Sequence, residues 1–255
     1  MYCFLRSRLI LIFKLNVINL KEKEELFLLK SQVCSANKDL VKHDLALFTW
    51  GNVSAITKDR KFVVIKPSGV LYNKMQPSDI VVVDLNGKIV EGKLKPSSDT
   101  MTHLELYRNF NEINSVVHTH SRFATSFAQA KKPIKVFGTT HADHFNGNIP
   151  VTRDMLSEEI KSDYELNTGK VIVETFEKKK LSPLDIPACL VASHGVFTWG
   201  NSCNKAVNTA VILEEIAVMN IYSFLLNPKL KEISKSLKEK HFFRKHGKNA
   251  YYGQK

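Results

Sequence analysis

The sequence contains few cysteines, and none of them forms a CxxC pair. The four cysteines stand at positions 3, 34, 189 and 203 of a 255-residue chain. A set this sparse excludes a protein built on a disulfide framework. It is typical of a cytosolic protein whose thiols are reduced, and we expect a cytoplasmic location.

Glycine and proline are also scarce, with 11 and 8 residues respectively. This scarcity excludes collagen-like and low-complexity chains. Hydrophobic residues make up 44% and charged residues 24% of the chain, which are ordinary values for a soluble globular protein and argue against intrinsic disorder. The length allows one large domain with a substantial core.

Long hydrophobic runs are lacking near the N-terminus. The apolar run Leu9–Phe13 follows two arginines, as in a signal peptide, but it is too short to span a bilayer and is interrupted by Lys14 and Asn16. No small-residue cleavage site follows it. We therefore expect residues 1–20 to be a dispensable extension rather than a membrane anchor, and the folded domain to comprise residues 21–255.

Acidic residues are outnumbered, with 25 against 37 basic residues and a net charge of +12. The excess is spread along the chain instead of forming one basic arm, and no known nucleic-acid-binding module accompanies it. We expect no nucleic-acid partner, and the charge is compatible with an anionic substrate.

Hydrophobic periodicity predicts a mixture of helices and strands. Apolar residues recur at helical spacing over residues 22–37, and short β-branched runs bounded by turn residues predict strands at 62–65 and 80–83. We also predict helices at 100–110 and 205–226 and strands at 115–120, 171–173 and 188–191. These elements predict a single α/β domain with a central, mainly antiparallel or mixed sheet covered by helices.

Two histidines, His118 and His120, stand two residues apart in a predicted strand. Residues with this spacing project from the same face, so both imidazoles can reach one point. His194, which follows an apolar run, is a natural third nitrogen ligand. Asp99 can supply an oxygen ligand or can simply cap the helix that follows it. Three histidines and a carboxylate suit Zn²⁺, and Mn²⁺ or Co²⁺ remain alternatives.

Two segments are suited to an anion. Lys66, Ser68 and Gly69 follow a predicted strand and offer an ammonium group, a hydroxyl group and an open backbone N–H. Ser97 and Ser98 precede a predicted helix whose first N–H groups are free to bind a phosphate. Each segment alone is equally compatible with an ordinary turn.

A titratable loop contains His141, Asp143 and His144. Asp143 is either an acid/base group or a turn residue, and the residue pattern by itself favours the turn. The two histidines form a weaker candidate for a second metal pair, because no other ligand is close in the sequence.

Six short motifs then occur in order along the chain, and together they are far more specific than any one of them. On these motifs the chain resembles the L-ribulose-5-phosphate 4-epimerase family of the class II aldolase/epimerase superfamily over residues 21–254. The motifs are Thr49-Trp50-Gly51-Asn52-Val53-Ser54, Lys66-Pro67-Ser68-Gly69, Pro96-Ser97-Ser98-Asp99-Thr100, Val117-His118-Thr119-His120-Ser121, Gly138-Thr139-Thr140-His141-Ala142-Asp143 and Ala250-Tyr251-Tyr252-Gly253-Gln254.

The resemblance implies a role for each matching position. Asp143 and Tyr252 match the two catalytic acid/base groups, and the tyrosine acts in a neighbouring subunit's site in that family. His241 and Arg244 match positions near the same site. The family forms homotetramers with active sites at subunit interfaces. Its metal ligands, usually for Zn²⁺, match Asp99, His118, His120 and His194, and its phosphate-binding residues match Asn52, Lys66, Ser68, Gly69, Ser97 and Ser98.

The chain departs from the family pattern at three positions. Met101 replaces a common proline, His144 stands where tyrosine is usual, and Ala192 replaces a histidine two residues before His194. None of these changes removes a predicted ligand, although the last two can alter the polarity of the site.

Two alternative functions stay open. A class II sugar-phosphate aldolase of the fuculose- or rhamnulose-phosphate type performs the same bond cleavage, but such relatives usually carry glutamate at the position of Asp99. A non-catalytic metal- or RNA-binding protein is the other alternative, suggested by the histidines and the positive charge.

Overall fold

The computed structural model of the chain describes residues 20–246 and 250–253. The predicted extension lies outside these residues apart from Leu20, at which the first helix begins. Within the described residues the helices are α1 (Leu20–Lys42), α2 (Thr100–Asn109), α3 (Arg122–Gln129), α4 (Thr139–Ala142), α5 (Ser157–Lys161), α6 (Tyr164–Lys179), α7 (Cys203–Leu226) and α8 (Lys235–His246). The strands are β1 (Asn52–Ile56), β2 (Phe62–Ile65), β3 (Val81–Asp84), β4 (Ile89–Glu91), β5 (Ser115–Thr119), β6 (Ala188–Leu190) and β7 (Val196–Gly200).

The strands form one seven-stranded sheet in the order β4-β3-β2-β1-β5-β7-β6. Every pairing between neighbouring strands is antiparallel. The predicted single α/β domain is therefore confirmed, and of the two sheet types predicted the antiparallel one is formed. In the register of β1 and β5, Asn52 lies opposite His118, which brings two of the motifs together.

Helices cover both faces of this sheet. Alternate residues of a strand point to opposite faces, so Val117 joins the core beneath α1 and the first half of α7, whereas Val116 joins the core beneath α2 and α6. Because both faces are buried, all four residues of β2 and the first three of β3 are apolar. This continuous pattern gives no signal for strand direction, which explains why sequence alone left the sheet type open.

The strand predicted at residues 171–173 is wrong, because these residues lie inside α6. Val171 and Ile172 are fully buried, and Ile172 and Val173 belong to the core on the side of α2. A β-branched residue in a helix costs only about 0.5 kcal/mol relative to better helix formers. Burying its side chain contributes about 1.5–3 kcal/mol, so tertiary packing outweighs the local preference.

Helix α7 is long and apolar enough to cross a membrane by length and composition. In the described fold it lies against the sheet instead, with Val207, Leu213 and Ile216 buried in the two cores. It is a core helix of the domain. The three cysteines at 34, 189 and 203 are also buried here and are unpaired among the described residues.

The side chain of Asn37 positions the start of β1, which carries part of the first motif. Its side chain is fully buried between α1 and β1, where Nδ2 donates to the carbonyl of Val53 at 3.2 Å and Oδ1 accepts from the amide of Val53 at 2.9 Å. These bonds attach α1 to the backbone residue that follows Asn52. The position of Asn52 at the end of β1 is thereby set by a helix as well as by the sheet.

Candidate active site

The three predicted histidine ligands meet at one end of the sheet. His118 is on β5, His120 follows the end of that strand, and His194 lies in the turn between β6 and β7. Because β5 pairs with β7 and Thr119 lies opposite Val196, this turn stands beside the end of β5. One nitrogen from each ring lies within 4.8 Å of the others, and Nε2 of His118 is 3.1 Å from Nε2 of His120.

The surroundings of the histidines keep their lone pairs available. Nδ1 of His118 donates to the carbonyl of Val196 at 3.0 Å, so Nε2 is the ring nitrogen left to bind an ion, and it points at His120. Burial and the nearby His118 ring lower the pKa values of His120 and His194 to about 4. Both rings are therefore neutral at pH 7, which is the form that binds a divalent ion.

Asp99 immediately precedes α2, at the N-cap position, but its side chain does not cap the helix. Its carboxylate accepts a 2.6 Å hydrogen bond from Nδ2 of Asn52. Burial raises the pKa of Asp99, yet His118, His103 and the Asn52 amide together hold it below its ordinary value. The helix-cap interpretation thus does not describe this side chain, and an ionised carboxylate lies beside the histidines.

Two glycines let backbone segments pass close to the histidines. A Cβ on Gly195 would lie 2.8 Å from the carbonyl oxygen of Thr119 and 3.1 Å from Cε1 of His118. Gly51 has φ of +88°, and a Cβ there would lie 2.7 Å from the carbonyl oxygen of His118. Any larger residue at either position must therefore displace the strand that carries His118.

We expect Gly195→Ala to weaken divalent-ion binding by about 10- to 100-fold, the usual effect of disturbing groups that orient metal ligands. The added methyl group must push the His118 ring or the end of β5 away from His194. Gly138→Ala is the matched control, because a Cβ at Gly138 meets no atom within 4 Å. Zn²⁺ affinity measured by competition with a chromogenic chelator tests this; equal affinities in the two variants would contradict the described geometry.

The histidines open onto a cavity of about 830 Å³ that is also lined by both predicted anion-binding segments. All four predicted metal ligands and all six predicted phosphate-binding residues line this cavity. It is lined by Asn52, Lys66, Ser68, Gly69, Ser97, Ser98, Asp99, His118, His120 and His194, and further by Thr49, Trp50, Gly51, Arg122, Thr125, Ser126, Gln129, Tyr164 and Glu165.

Lys66 is the cation of the predicted anion-binding end, and only 2% of it is exposed. Its ammonium group donates to the carbonyl of Pro67 at 3.2 Å and lies 5.0 Å from the ring centre of Tyr72. Burial lowers its pKa to about 8, although Asp99 opposes this shift. The two serine-containing segments are held together by an isolated bridge between Pro67 and Pro96. A buried lysine without a fully compensating carboxylate favours an incoming anion.

Asp143 and Tyr252 do not line this cavity. The Asp143 carboxylate accepts from Nε and Nη2 of Arg244 at 3.0 and 2.7 Å and lies 3.0 Å from Nδ1 of His241. Burial raises the pKa of Asp143, but Arg244, His241 and Lys245 hold it below its ordinary value. The ring of Tyr252 lies over Arg244, at 4.9 Å, and is 60% exposed. These residues form a second, surface-facing group that we call the α8 cluster: Asp143, His241, Arg244 and Tyr252.

The predicted second metal pair is not assembled into a cluster. His141 is buried and its Nε2 donates to the carbonyl of Gly147 at 2.9 Å, while burial lowers its pKa to about 4. Over the ranges that the structure describes, His118, His120 and His194 are the one group of three or more side chains placed to hold a metal.

Two neighbours of the site were not found from the sequence. His103 is fully buried four residues after Asp99, on the same face of α2, with Nδ1 2.7 Å from the hydroxyl of Ser54. Tyr164 places its hydroxyl 3.5 Å from Nδ1 of His194 and lines the cavity. The spacing of Asp99 and His103 was the available signal for the former; nothing in the sequence connects Tyr164 with the histidines.

Comparison with known proteins agrees with this architecture. Residues 31–221 match the model of the class II aldolase and adducin N-terminal domain, so the chain belongs to that family. Members are typically divalent-metal-dependent proteins of sugar-phosphate metabolism, and they are commonly oligomeric.

Solved structures of the family superimpose on most of the chain. One titled L-fuculose 1-phosphate aldolase is 25% identical, with a TM-score of 0.71 over 84% of this chain and 93% of that one. YgbL from Klebsiella pneumoniae, titled a putative aldolase/epimerase/decarboxylase, is 21% identical with a TM-score of 0.68, covering 84% and 98% of the two chains. The L-fuculose-1-phosphate aldolase from Thermus thermophilus is 23% identical with a TM-score of 0.62, covering 80% and 98%. The last two support the fold alone.

Proposed function

We propose that this protein is a cytoplasmic L-ribulose-5-phosphate 4-epimerase. The observation that carries the proposal is the single cavity in which three histidines and Asp99 lie next to a buried lysine and two serine-rich segments. Such a cavity offers one place for a divalent ion and another for a phosphate group. A substrate with a short carbon chain can occupy both places at once. A phosphorylated sugar that requires charge stabilisation near its carbonyl matches both places.

The donor set fits a divalent ion. Three imidazoles and one carboxylate are ligands that Zn²⁺ accepts, and Mn²⁺ or Co²⁺ also bind such sets. The 3.1 Å approach of the Nε2 atoms of His118 and His120 places two ring nitrogens towards a common point. When bound there, the ion supplies Lewis-acid stabilisation of the negative charge that develops on the substrate.

The chemistry of inversion at C4 explains why such a site is needed. The C4 hydrogen of L-ribulose 5-phosphate is not α to the C2 ketone, so its removal would leave an unstabilised carbanion. The C4 hydroxyl is β to that ketone, and its deprotonation permits retro-aldol cleavage of the C3–C4 bond. Rotation of the aldehyde fragment and re-formation of the bond on its other face give D-xylulose 5-phosphate. Two proton-transfer groups on opposite faces are required.

The anion-binding end of the cavity holds the fragment during this rotation. We assign the phosphate to Asn52, Lys66, Ser68, Gly69, Ser97 and Ser98. The buried ammonium group of Lys66 attracts the phosphate because no protein carboxylate forms an ion pair with it among the described residues. Because the phosphate stays bound, the aldehyde group can rotate about the C–C bond of the fragment while the fragment remains in the site.

Asp143 and Tyr252 are the proposed proton-transfer groups, and they act in the site of a neighbouring copy. Both lie in the α8 cluster, away from the cavity of their own chain, and Tyr252 is exposed. Since the pKa of Asp143 is held low, its carboxylate is ionised and begins as the proton acceptor. A homotetramer in which each α8 cluster meets the next cavity completes four equivalent sites.

A class II sugar-phosphate aldolase is the second candidate, favoured by the 25% identical structure titled L-fuculose 1-phosphate aldolase. Aspartate at position 99 favours the epimerase. Its carboxylate is held by a 2.6 Å bond from Asn52, and its short side chain suits a ligand that stays in place rather than a base that moves.

The test is an assay of the metal-loaded protein with two substrates. We expect D-xylulose 5-phosphate to form from L-ribulose 5-phosphate, activity to be lost with a chelator and restored by Zn²⁺, and no dihydroxyacetone phosphate to form from L-fuculose 1-phosphate. The reverse result would establish the aldolase, and no turnover of either substrate by metal-replete protein would support a binding protein instead.

Mixing two inactive variants tests the shared site. His120→Ala damages the cavity and Tyr252→Phe damages the α8 cluster, so oligomers assembled from both contain some sites with neither change. We expect activity to reappear on co-assembly. Mixtures that stay inactive, although mass measurement shows mixed oligomers, would place both groups in one chain's site.

A further inference from the structure

A polar face of α3 forms a wall of the same cavity that the phosphate and metal assignments leave unused. Arg122, Thr125, Ser126 and Gln129 are spaced at i, i+3, i+4 and i+7, so they lie on one side of the helix. All four line the cavity together with the histidines. We call these four residues the α3 subsite.

The polar groups of this subsite are not needed to build the helix. Its first free amides, those of Phe123 and Ala124, donate to the Glu214 carboxylate at 2.7 and 2.9 Å. Glu214 therefore satisfies the helix N-terminus from α7. The Ser126 hydroxyl donates to the backbone carbonyl of Arg122 at 2.8 Å, and the other three side chains that face the cavity remain available for another partner.

Apart from Ser126, the side chains of the α3 subsite lack a protein partner within the described residues. Thr125 is only 7% exposed, and its Oγ1 has no hydrogen-bond partner within the described part of the chain. The guanidinium group of Arg122, which is exposed, forms no ion pair or hydrogen bond with residues 20–246 or 250–253. Buried polar groups are normally hydrogen-bonded, so an unpaired hydroxyl in a cavity wall indicates a group supplied by a ligand.

The α3 subsite lies across the histidines from the anion-binding end. Lys66 follows β2 and Asn52 begins β1, whereas α3 packs against β6, β7 and α7. In the sheet order, β5 with His118 separates these two sides. A ligand with its phosphate near Lys66 and its middle at the histidines must direct its other end towards α3.

We propose that the α3 subsite binds the terminal hydroxymethyl group of a ketose phosphate, at the end opposite the phosphate. This inference rests on the proposed function, in which that group is the C1 hydroxymethyl of L-ribulose 5-phosphate. The Thr125 hydroxyl and the Arg122 guanidinium supply hydrogen bonds to the C1 oxygen, and Ser126 and Gln129 complete the polar wall. The subsite selects substrates that carry a hydroxyl group on C1.

The experiment compares L-ribulose 5-phosphate with its 1-deoxy analogue, which keeps the ketone, both other hydroxyl groups and the phosphate. A site built around a substrate hydroxyl should prefer the natural substrate in kcat/KM by on the order of 100-fold. Thr125→Val and Arg122→Gln should each reduce this preference by about tenfold, chiefly by slowing reaction of the natural substrate. Zn²⁺ content and inhibition by inorganic phosphate should not change.

Thr209→Val is the matched control, because it makes the same replacement at a buried threonine of α7 that does not line the cavity. We also expect Thr125→Val to unfold at the same temperature as the wild type or higher, since its hydroxyl has no protein partner to lose.

The outcomes separate the subsite from the proposed function. If the wild type converts both substrates equally well, or if either variant slows both substrates by the same factor, the α3 subsite is wrong and the epimerase remains. If metal-replete wild type converts neither substrate, the proposed function fails and the subsite, as assigned, fails with it.

Discussion

Replacing His120 with alanine should remove the divalent ion and lower turnover of L-ribulose 5-phosphate by about 10³-fold, because Lewis-acid stabilisation of developing charge is worth several kcal/mol. His120 contributes one of three ring nitrogens that lie within 4.8 Å of each other, and two histidines with one aspartate hold a metal far less tightly. The His120 side chain is only partly buried and lies beyond the end of β5, so the fold should tolerate the change.

His43→Ala is the matched control, since His43 is exposed at the end of α1 and outside the cavity. Metal content by atomic emission and the D-xylulose 5-phosphate assay give two independent readouts. If His120→Ala retained both a full complement of metal and normal turnover, the three histidines would not form the metal site.

Replacing Tyr252 with phenylalanine should lower turnover by about 10²- to 10⁴-fold while leaving metal content unchanged, the loss expected when a positioned proton-transfer group is removed. The change deletes a single hydroxyl group from a 60% exposed ring that stacks over Arg244. The stacking should survive because phenylalanine keeps the ring. Stability should therefore be the same as in the wild type.

Tyr251→Phe is the adjacent control, because Tyr251 is equally exposed and its ring lies over Lys240 rather than over the α8 cluster. Steady-state kinetics should show the loss in kcat for Tyr252→Phe only. Unchanged turnover would remove Tyr252 from the mechanism, and a matching loss in Tyr251→Phe would indicate that the tail acts through its fold instead.

The sequence predicted most of the central architecture because local signals there agree with the final packing. The strands over 62–65 and 115–120 are bounded by turn residues, and the structure forms them with ends within a residue of the prediction. The two-residue spacing of His118 and His120 predicted that both rings reach one point, and their Nε2 atoms lie 3.1 Å apart although His120 is the residue after β5.

Local sequence signals did not predict some other strands and helices. Strands β1 and β7 were not predicted, although β1 lies in the middle of the sheet and β7 forms a neighbour of β5. Their sequences, Asn52–Ile56 and Val196–Gly200, mix polar and apolar residues and gain their burial only from the helices on both faces. The β-branched segment 171–173 within α6 was wrongly predicted as a strand. Its packing against α2 buries it as part of a helix, and this contact cannot be read from the local sequence.

By itself, the sequence determined the order of six motifs, the spacing of His118 and His120, and the residue types suited to a metal and a phosphate. Only the tertiary structure decided that the sheet is antiparallel, that Asp99 bonds to Asn52 instead of capping α2, and that Asp143 and Tyr252 lie apart from the cavity. The physical reason is distance along the chain. A period of two residues fixes neighbours within one strand, whereas contacts between segments dozens of residues apart depend on how the sheet and its helices bury their apolar faces.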